Sequence, residues 1–210
     1  MMCRAYLPLF SALLLSSCTL ATPVDTGQAN MVTLAPLQQS EIACTKHVKG
    51  SIIIAYPVTP DDLDTYRIAL LDKGRRDYLS HMRWAEFLPG IIQSTFTQSL
   101  NNTNSFDNAF TDDQIVSAHW QLMTEVKRFE VLYDENESPR EAVIEMRFEL
   151  LTGSNTEIKK QFTLSQSVDI QANNTTAIMQ AFREGFSKLQ NELIAKLVGC
   201  SSTTSSSSGI

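Results

Sequence analysis

Apolar and polar residues alternate with a period of two over much of this chain, which is the pattern of half-buried β-strands. The segments that show it are 66–71, 78–85, 118–133, 142–150 and 158–164. A continuous apolar run at 51–56, stopped by Pro57, is typical of a strand that is covered on both faces or central in a sheet. Val32, Thr33 and Leu34 form a shorter β-like segment ahead of it. The chain is therefore predicted to be rich in strands.

Turn residues divide these strands into hairpins. Gly74 lies between the first two alternating segments, and its freedom to adopt positive φ suits a short hairpin turn. A second turn at 152–155 separates the last two strands. The alternation of the long segment 118–133 changes phase at Lys127 and Arg128, which predicts a β-bulge. A bend that follows the curvature of the sheet explains this bulge more simply than a functional site does.

Two segments instead have helical spacing. One begins near Pro89, whose fixed φ suits the first turn of a helix, and continues through Ile92 and Phe96. The other covers about 175–198 and is stopped by Gly199. Its polar face is mixed in charge, which favours packing on the sheet over lying on a membrane. The predicted fold is therefore α+β, with a mostly antiparallel sheet and two amphipathic helices packed on one face.

Large aromatic residues are predicted to join these layers. Trp84 and Phe96 are expected in the core together with Phe182 and Phe186. Tyr66 and Tyr78 share the phase of the inward-facing residues and are interpreted as structural.

The amino terminus has the features of a signal peptide over residues 1–17. Arg4 precedes an apolar segment that is too short to cross the roughly 30 Å of a bilayer core as a helix. The sequence Leu15-Ser16-Ser17-Cys18 resembles the bacterial lipobox, which predicts lipidation of Cys18, by palmitate and other acyl chains. An ordinary secretory signal cleaved near Ala21, leaving a soluble protein, is the alternative.

These signals divide the chain into four parts. Lipidated Cys18 and a flexible linker occupy 18–30, a single domain covers 31–200, and a Ser-rich tail at 201–210 is expected to be disordered. Thr19 follows Cys18, where Asp is the usual signal for retention at the inner membrane. We therefore expect a lipid-anchored protein on the periplasmic face of the outer membrane.

Composition argues against several classes of function. The formal net charge is −6, and loss of Arg4 with the leader would make it −7, so no nucleic-acid partner is expected. The cysteines form no Cys-x-x-Cys pair, and the three histidines, His47, His81 and His119, stand alone in the sequence. We predict no metal, no cofactor and no catalytic residue, and hence a non-enzymatic protein.

A disulfide between Cys44 and Cys200 is a further expectation. Once the leader is removed and Cys18 is acylated, these are the two remaining thiols, and export leads to an oxidising compartment. Closing so long a loop is worth roughly 4–5 kcal/mol in the chain-entropy model, less any strain. Two unrelated cysteines are the alternative.

The stretch 63–100 resembles a known family. Its characteristic order is Leu63-Asp64-x-x-Arg67-Ile68, an aromatic-bearing strand, Arg83-Trp84-x-x-x-Leu88-Pro89 and an amphipathic helix. This order is similar to that of the ABC-type transport auxiliary lipoproteins, the paraquat-inducible protein C-like group, and the resemblance extends over roughly 32–198.

The resemblance implies an auxiliary lipoprotein of an ABC-type system whose subunits carry mammalian-cell-entry domains and move lipid between the envelope membranes. Its partner would be a mammalian-cell-entry domain protein, and a homo-oligomer is possible. Arg67 and Arg83 lie out of phase with the apolar residues, and an arginine fork suits partner carboxylates, so both are candidate partner-binding residues. Two alternatives remain: a lipoprotein that chaperones an outer-membrane barrel, and a soluble periplasmic enzyme with an unrecognised site.

Overall fold

The computed structural model describes residues 29–42, 44–152 and 157–200. Its elements in chain order are β1 (Asn30–Val32), β2 (Ile52–Ile54), β3 (Arg67–Asp72), β4 (Arg75–Trp84), α1 (Leu88–Asn102), β5 (Ala109–Thr111), β6 (Trp120–Tyr133), β7 (Pro139–Thr152), β8 (Ile158–Asp169) and α2 (Thr175–Val198). The predicted signal peptide, Cys18, nearly all of the linker and the Ser-rich tail lie outside the described residues. Within them, neither helix is long and apolar enough to span a membrane.

The eight strands form one sheet, which confirms the α+β class. Long antiparallel pairings join β6 to β7, β7 to β8 and β3 to β4. The shorter strands add four parallel pairings, each three residues long: β1 with β4, β2 with β5, β2 with β6, and β3 with β6. Most paired residues are thus antiparallel, as expected, but the sheet is mixed. Alternation alone could not reveal this, because parallel and antiparallel strands share a period of two.

Strand β6 is the central strand of the sheet and pairs with three others, β2, β3 and β7. One of its edges pairs with β7 along almost its whole length, from Trp120 to Tyr133. The other edge is shared, because β2 pairs with the start of β6 and β3 pairs with its end. The apolar run of β2 is therefore held between two strands, β6 and β5, as its composition predicted.

Local irregularities follow the sequence signals. The register between β6 and β7 shifts between Val126 and Arg128, which confirms the predicted bulge. In the hairpin of β3 and β4, Lys73 (φ 48°) and Gly74 (φ 80°) both have positive φ, as the favoured two-residue turn requires. One strand was predicted with inaccurate bounds, and one was missed. The first strand begins at Asn30 and ends at Val32, earlier than expected, and β5 was not predicted.

Both helices lie on one face of the sheet. α1 begins with Pro89 in its first turn. In α2, the Asn174 side chain accepts a hydrogen bond from the Ala177 N–H, and Gly199 ends the helix with a φ of 74°. The two helices meet at a buried polar contact between Ser99 and Gln190, and Gln190 also donates to the Ala35 carbonyl.

An aromatic core joins both helices to the sheet, as predicted. Trp84 contacts Phe129 and Phe182 edge-to-face, with ring centroids 5.5 and 5.6 Å apart. Phe96 of α1 stacks on Phe186 of α2 at 5.3 Å. These five side chains are at most 1% exposed. Edge-to-face and offset pairs contribute roughly 0.5–1.5 kcal/mol beyond their buried area, so this cluster fixes the helices to the sheet.

The end of α2 is tied to the segment before β2. Cys44 and Cys200 are joined by a disulfide, with Cα atoms 6.3 Å apart and 156 residues between them in sequence. This Cα separation lies within the range that a disulfide normally spans. The Lys46 ammonium group also donates to the Gly199 carbonyl at 2.9 Å. Two contacts thus hold the two ends of the domain together.

Candidate functional site

The stretch 63–100 folds into β3, β4 and the start of α1, and its alternation separates two environments. Met82 and Trp84 face the helices and are 3% and 1% exposed. Arg83, between them, points to the opposite face and is exposed. Arg67, likewise exposed, is its direct partner across the β3–β4 pair. The two candidate arginines are therefore neighbours on the outer face of the sheet.

Each arginine lies over an aromatic ring. The Arg67 guanidinium carbon is 3.7 Å from the ring centroid of Tyr78, and that of Arg83 is 5.7 Å from the ring centroid of Tyr66. Over the described ranges, neither arginine forms an ion pair with an acidic side chain. Their charges are therefore held in position by rings while their guanidinium edges stay available to a partner.

Tyr66 does not face the core, so the prediction that it is structural and inward-facing was wrong. It is 47% exposed. The register of the β3–β4 pair is irregular between Arg67 and Ala69, and this irregularity breaks the simple alternation of β3 just after Tyr66. Tyr78 is half-buried, and its hydroxyl donates to the Asp62 carbonyl at 3.2 Å, which agrees with a structural role.

Exposed apolar side chains surround Arg83. Met31, Tyr66 and Phe87 are 64%, 47% and 50% exposed. Tyr66 and Phe87 stack with centroids 5.7 Å apart and an interplanar angle of 2°. A guanidinium nitrogen of Arg83 lies 3.7 Å from the Met31 sulfur. We call these four residues, Met31, Tyr66, Arg83 and Phe87, the aromatic surface.

The aromatic surface forms a shallow cleft of about 330 Å³. Besides its four residues, the cleft is lined by Trp84, Ala85 and Glu86. Tyr56 lies beside Gly90 at the same end of α1. Burial, and then the charges of Asp64 and Glu86, raise the pKa of Tyr56. Aromatic residues, Met and Arg are the types enriched at the centres of protein interfaces. Single exposed apolar residues are common, but a contiguous cluster of these types indicates a binding surface.

Backbone hydrogen bonds hold the aromatic surface in place. The Trp84 N–H donates to the Tyr66 carbonyl at 2.7 Å, and the Leu88 N–H donates to the Thr65 carbonyl at 3.1 Å. Trp84 is fixed by its packing in the core, so its hydrogen bond also fixes the backbone of Tyr66 on the outer face. The surface is thus organised before any partner binds, which reduces the entropy lost on binding.

A buried ion network supports the segment that leads to Tyr66. Glu130 is 1% exposed and accepts hydrogen bonds from Arg76 at 2.7 Å and from Arg128 at 2.8 Å. Arg76 also binds Asp62. Glu130 was not singled out from the sequence, where it is one acidic residue in an alternating strand. The bulge predicted at Lys127 and Arg128 was the sequence feature that could have pointed to Glu130, because a bulge changes the direction in which the following side chains project.

His47, which stands alone in the sequence, has structural surroundings. Its ring nitrogens lie 2.8 Å from the Asn104 carbonyl and 2.9 Å from an Asp107 oxygen. Hydrogen bonding to Asn104, and then to Asp107, raises the pKa of His47. In the described part of the chain, no group of three His, Cys, Asp or Glu residues is arranged to hold a metal ion. Cys18 lies outside that part.

Solved structures share this fold. Protein XCC0632 from Xanthomonas campestris superposes with a TM-score of 0.67 at 19% identity, over 82% of this chain and 95% of that chain. An uncharacterized protein gives a TM-score of 0.59 at 12% identity, over 79% and 99% of the two chains. The hypothetical protein CT253 from Chlamydia trachomatis gives 0.51 at 9% identity, over 72% and 97%. At these identities the similarity shows a common fold.

No curated protein matches this sequence. A family model does, and it covers residues 33–194, which include β3, β4, α1, most of α2 and five of the other strands. The match includes Arg67, Arg83 and the whole stretch 63–100 on which the resemblance was recognised. The chain belongs to the family of ABC-type transport auxiliary lipoprotein components.

Proposed function

We propose that this auxiliary lipoprotein is anchored to the outer membrane through Cys18 and uses the aromatic surface to dock a mammalian-cell-entry domain protein of an ABC-type lipid transport system. In this role it contributes binding and no catalysis to lipid transport between the envelope membranes. The observation that carries the proposal is the cleft at Met31, Tyr66, Arg83 and Phe87, where exposed apolar side chains surround an arginine that has no acidic partner among the described residues.

The chemistry of the surface supports docking of a protein. Burying apolar area contributes roughly 25 cal/mol per Å², and aromatic and Arg residues carry much of the energy of measured interfaces. Arg67 and Arg83 can each form a bidentate pair with a carboxylate of the partner. The partner that fits best therefore presents apolar side chains beside Asp or Glu.

The position of the surface also suits docking near a membrane. Met31 belongs to β1, which begins at Asn30, so residues 19–29 would connect the domain to a lipidated Cys18. An extended linker of that length reaches at most about 40 Å. The aromatic surface would thus lie close to the outer membrane, where a periplasm-spanning partner ends.

Capture of the transport partner tests the docking role. The full chain and a candidate mammalian-cell-entry protein are co-expressed, and capture is quantified for Phe87→Ser and Arg83→Glu. Both residues are exposed, so both variants should fold. The matched controls are Ile115→Ser, at a fully exposed apolar residue, and Arg75→Glu, at an exposed arginine of β4. We expect capture to fall at least about tenfold in the first two variants, since each hot-spot residue is worth roughly 2 kcal/mol, and to be retained in the controls.

Retained capture in Phe87→Ser and Arg83→Glu would place the interface elsewhere. Capture of an outer-membrane barrel protein, with none of the mammalian-cell-entry protein, would instead support the assembly-chaperone function.

Fractionation of membranes tests the anchor separately. The Cys18→Ala variant should lose its acylated amino-terminal peptide and leave the outer-membrane fraction, because the acyl chains supply the binding energy. Unchanged outer-membrane fractionation of this variant contradicts the proposed anchor. Recovery of the wild-type chain in the inner-membrane fraction contradicts the inference from Thr19.

A further inference from the structure

Strand β8 forms a long open edge of the sheet. It is 12 residues long and pairs with β7 from Glu141 to Leu151, and across the described ranges no strand pairs with its other side. α2 packs on the face of β7 and β8, so it leaves the edge itself uncovered. An open edge presents a row of backbone N–H and C=O groups that can pair with another strand.

This edge lacks the usual protection against pairing. Residues 161–168 include no charged residue and no proline. The charge of Lys160 could have disfavoured strand pairing at this edge. Its ammonium group instead turns inward and donates to the carbonyls of Lys196 and Leu197 at 2.6 and 3.0 Å. The one register shift in the β7–β8 pair lies between Leu150 and Leu151, opposite the first residues of β8. The open part of β4, by contrast, begins with Arg75, Arg76 and Asp77. β8 is therefore the edge suited to strand addition.

We propose that two copies of this chain associate through antiparallel pairing of their β8 strands. A two-fold axis perpendicular to the sheet would pass near Thr163 and Leu164, the middle of β8. Such a pairing joins the two sheets into one and keeps both α2 helices on the same face. It closes after two copies, because each β8 edge satisfies the other.

The charges at the two ends of β8 favour this arrangement. Lys159 lies at one end, where Glu157 is also its partner, and Lys196 lies over the Phe162 ring near the same end. Asp169 lies at the other end, directly opposite Glu141 of β7; Glu141 is paired with Arg140, whereas Asp169 has no basic partner among the described residues. Antiparallel self-pairing brings Lys159 of one copy to Asp169 of the second. Opposite-charge pairs across strands stabilise a sheet, whereas a parallel arrangement would bring like charges together.

A groove beside β8 gives the second copy further contact. It has a volume of about 330 Å³, lies between the end of β8 and the first half of α2, and is lined by residues that include Val168, Ala181 and Glu184. In the antiparallel pair this groove faces the end of the second copy that carries Lys196. Glu184 is already paired with Lys188 of its own helix, so a second copy supplies a cation chiefly for Asp169, which an isolated neutral strand would not.

The mass of the full chain in mild detergent tests the pairing. The wild type should have the protein mass of two chains. The double variant Thr163→Lys/Ser165→Lys changes two exposed side chains at the centre of β8 and should raise the dissociation constant at least tenfold by placing like charges across the axis. The control Ser80→Lys changes an exposed residue on the open part of β4 and should leave the dimer intact. Circular dichroism checks that all variants fold.

Charge exchange tests that the partner is a second copy. Lys159→Glu should weaken association, and Lys159→Glu/Asp169→Lys should restore it, because each end of the variant again meets an opposite charge. In intact cells, Thr163→Cys should form a disulfide-linked dimer and Ser80→Cys should not.

The inference is overturned by a wild-type chain with the mass of one copy. A dimer that persists in Thr163→Lys/Ser165→Lys, or that is lost equally in Ser80→Lys, also overturns it. The same holds if Thr163→Cys crosslinks only to a different protein.

Discussion

Two aromatic clusters lie on opposite sides of β4, and they differ in what covers them. On the inner face, Trp84 contacts Phe129 and Phe182 and is closed over by α2. On the outer face, Tyr66 stacks on Phe87 with both rings about half exposed, and no described element covers them. The inner cluster stabilises the fold. The outer cluster is ordered by its own stacking but is not covered by any described part of the chain. The same residue types therefore serve stability on one face and, as proposed, recognition on the other.

The alternation of one strand produces this division. Arg83 and Trp84 are adjacent in sequence, yet one is exposed and the other is 1% exposed. The family motif thus combines a structural residue and a recognition candidate in consecutive positions. Substitutions on the inner face should mainly change the free energy of unfolding, and substitutions on the outer face should mainly change capture of a partner.

The largest effect is expected from truncating the inner cluster. Phe182→Ala removes a fully buried ring that contacts Trp84 and Phe129, and it should reduce the free energy of unfolding by about 3–5 kcal/mol. Phe87→Ala, on the half-exposed ring of the outer cluster, should cost less than about 1 kcal/mol. Chemical denaturation of the two variants measures both values. Equal losses in the two variants would remove the distinction between the clusters.

The next effect concerns the disulfide, which lies away from both clusters. Cys200→Ser should reduce the free energy of unfolding by about 2–4 kcal/mol, because opening the bridge gives the unfolded chain more freedom. Capture of the partner by the folded fraction should not change. Thiol titration of the denatured, unreduced mature protein checks the bridge itself, and two free thiols would contradict it.

Sequence patterns predicted the parts of the fold that depend on local spacing. Both helices, the bulge at Arg128 and the burial of Trp84 follow from periodicity and from turn and cap residues. The parallel pairings of β1, β2 and β3 depend on long-range topology, which a period of two does not encode. Most of the sheet could be predicted for this reason, and its mixed order could not.

The candidate site was predicted in part. Arg67 and Arg83 were singled out because they are out of phase with the apolar residues, and the structure places them side by side. Tyr66 and Phe87 were missed as surface residues. Tyr66 precedes an irregular register, and Phe87 lies just before a helix, so neither obeys the alternation of its neighbours. Met31 reaches the cleft through a parallel pairing that the sequence did not reveal.

A smaller effect should come from the exposed stack itself. In a double-mutant cycle, Tyr66→Ala and Phe87→Ala should show a coupling energy of about 0.5–1 kcal/mol, because the rings stack at 5.7 Å but remain half in water. The free energy of unfolding of the two single variants and the double variant gives this value. The pair Trp84 and Phe182 provides the comparison on the inner face and should couple more strongly. Additive losses at Tyr66 and Phe87 would mean that their stacking does not preorganise the surface.

The smallest effect should come from His47, at the opposite end of α1 from both exposed rings. Its two hydrogen bonds to Asn104 and Asp107 favour the protonated ring and raise its pKa above the ordinary 6.5. The stabilisation is therefore complete below about pH 6.5 and is lost as the pH rises through the folded-state pKa. Hydrogen bonds from Gly50, and then from His47, lower the pKa of Asp107 below its ordinary 3.8, so its contribution is lost only in acid.

Both groups therefore stabilise the fold most between about pH 4 and pH 6.5. The difference in melting temperature between the wild type and His47→Gln should be largest near pH 5.5 and should shrink by pH 8. His81→Gln, at an exposed histidine of β4, is the matched control. A melting-temperature difference that stays constant from pH 5.5 to pH 8 would show that His47 acts as a neutral hydrogen-bonding residue. The contact at this end of α1, far from the aromatic surface, would then not depend on pH.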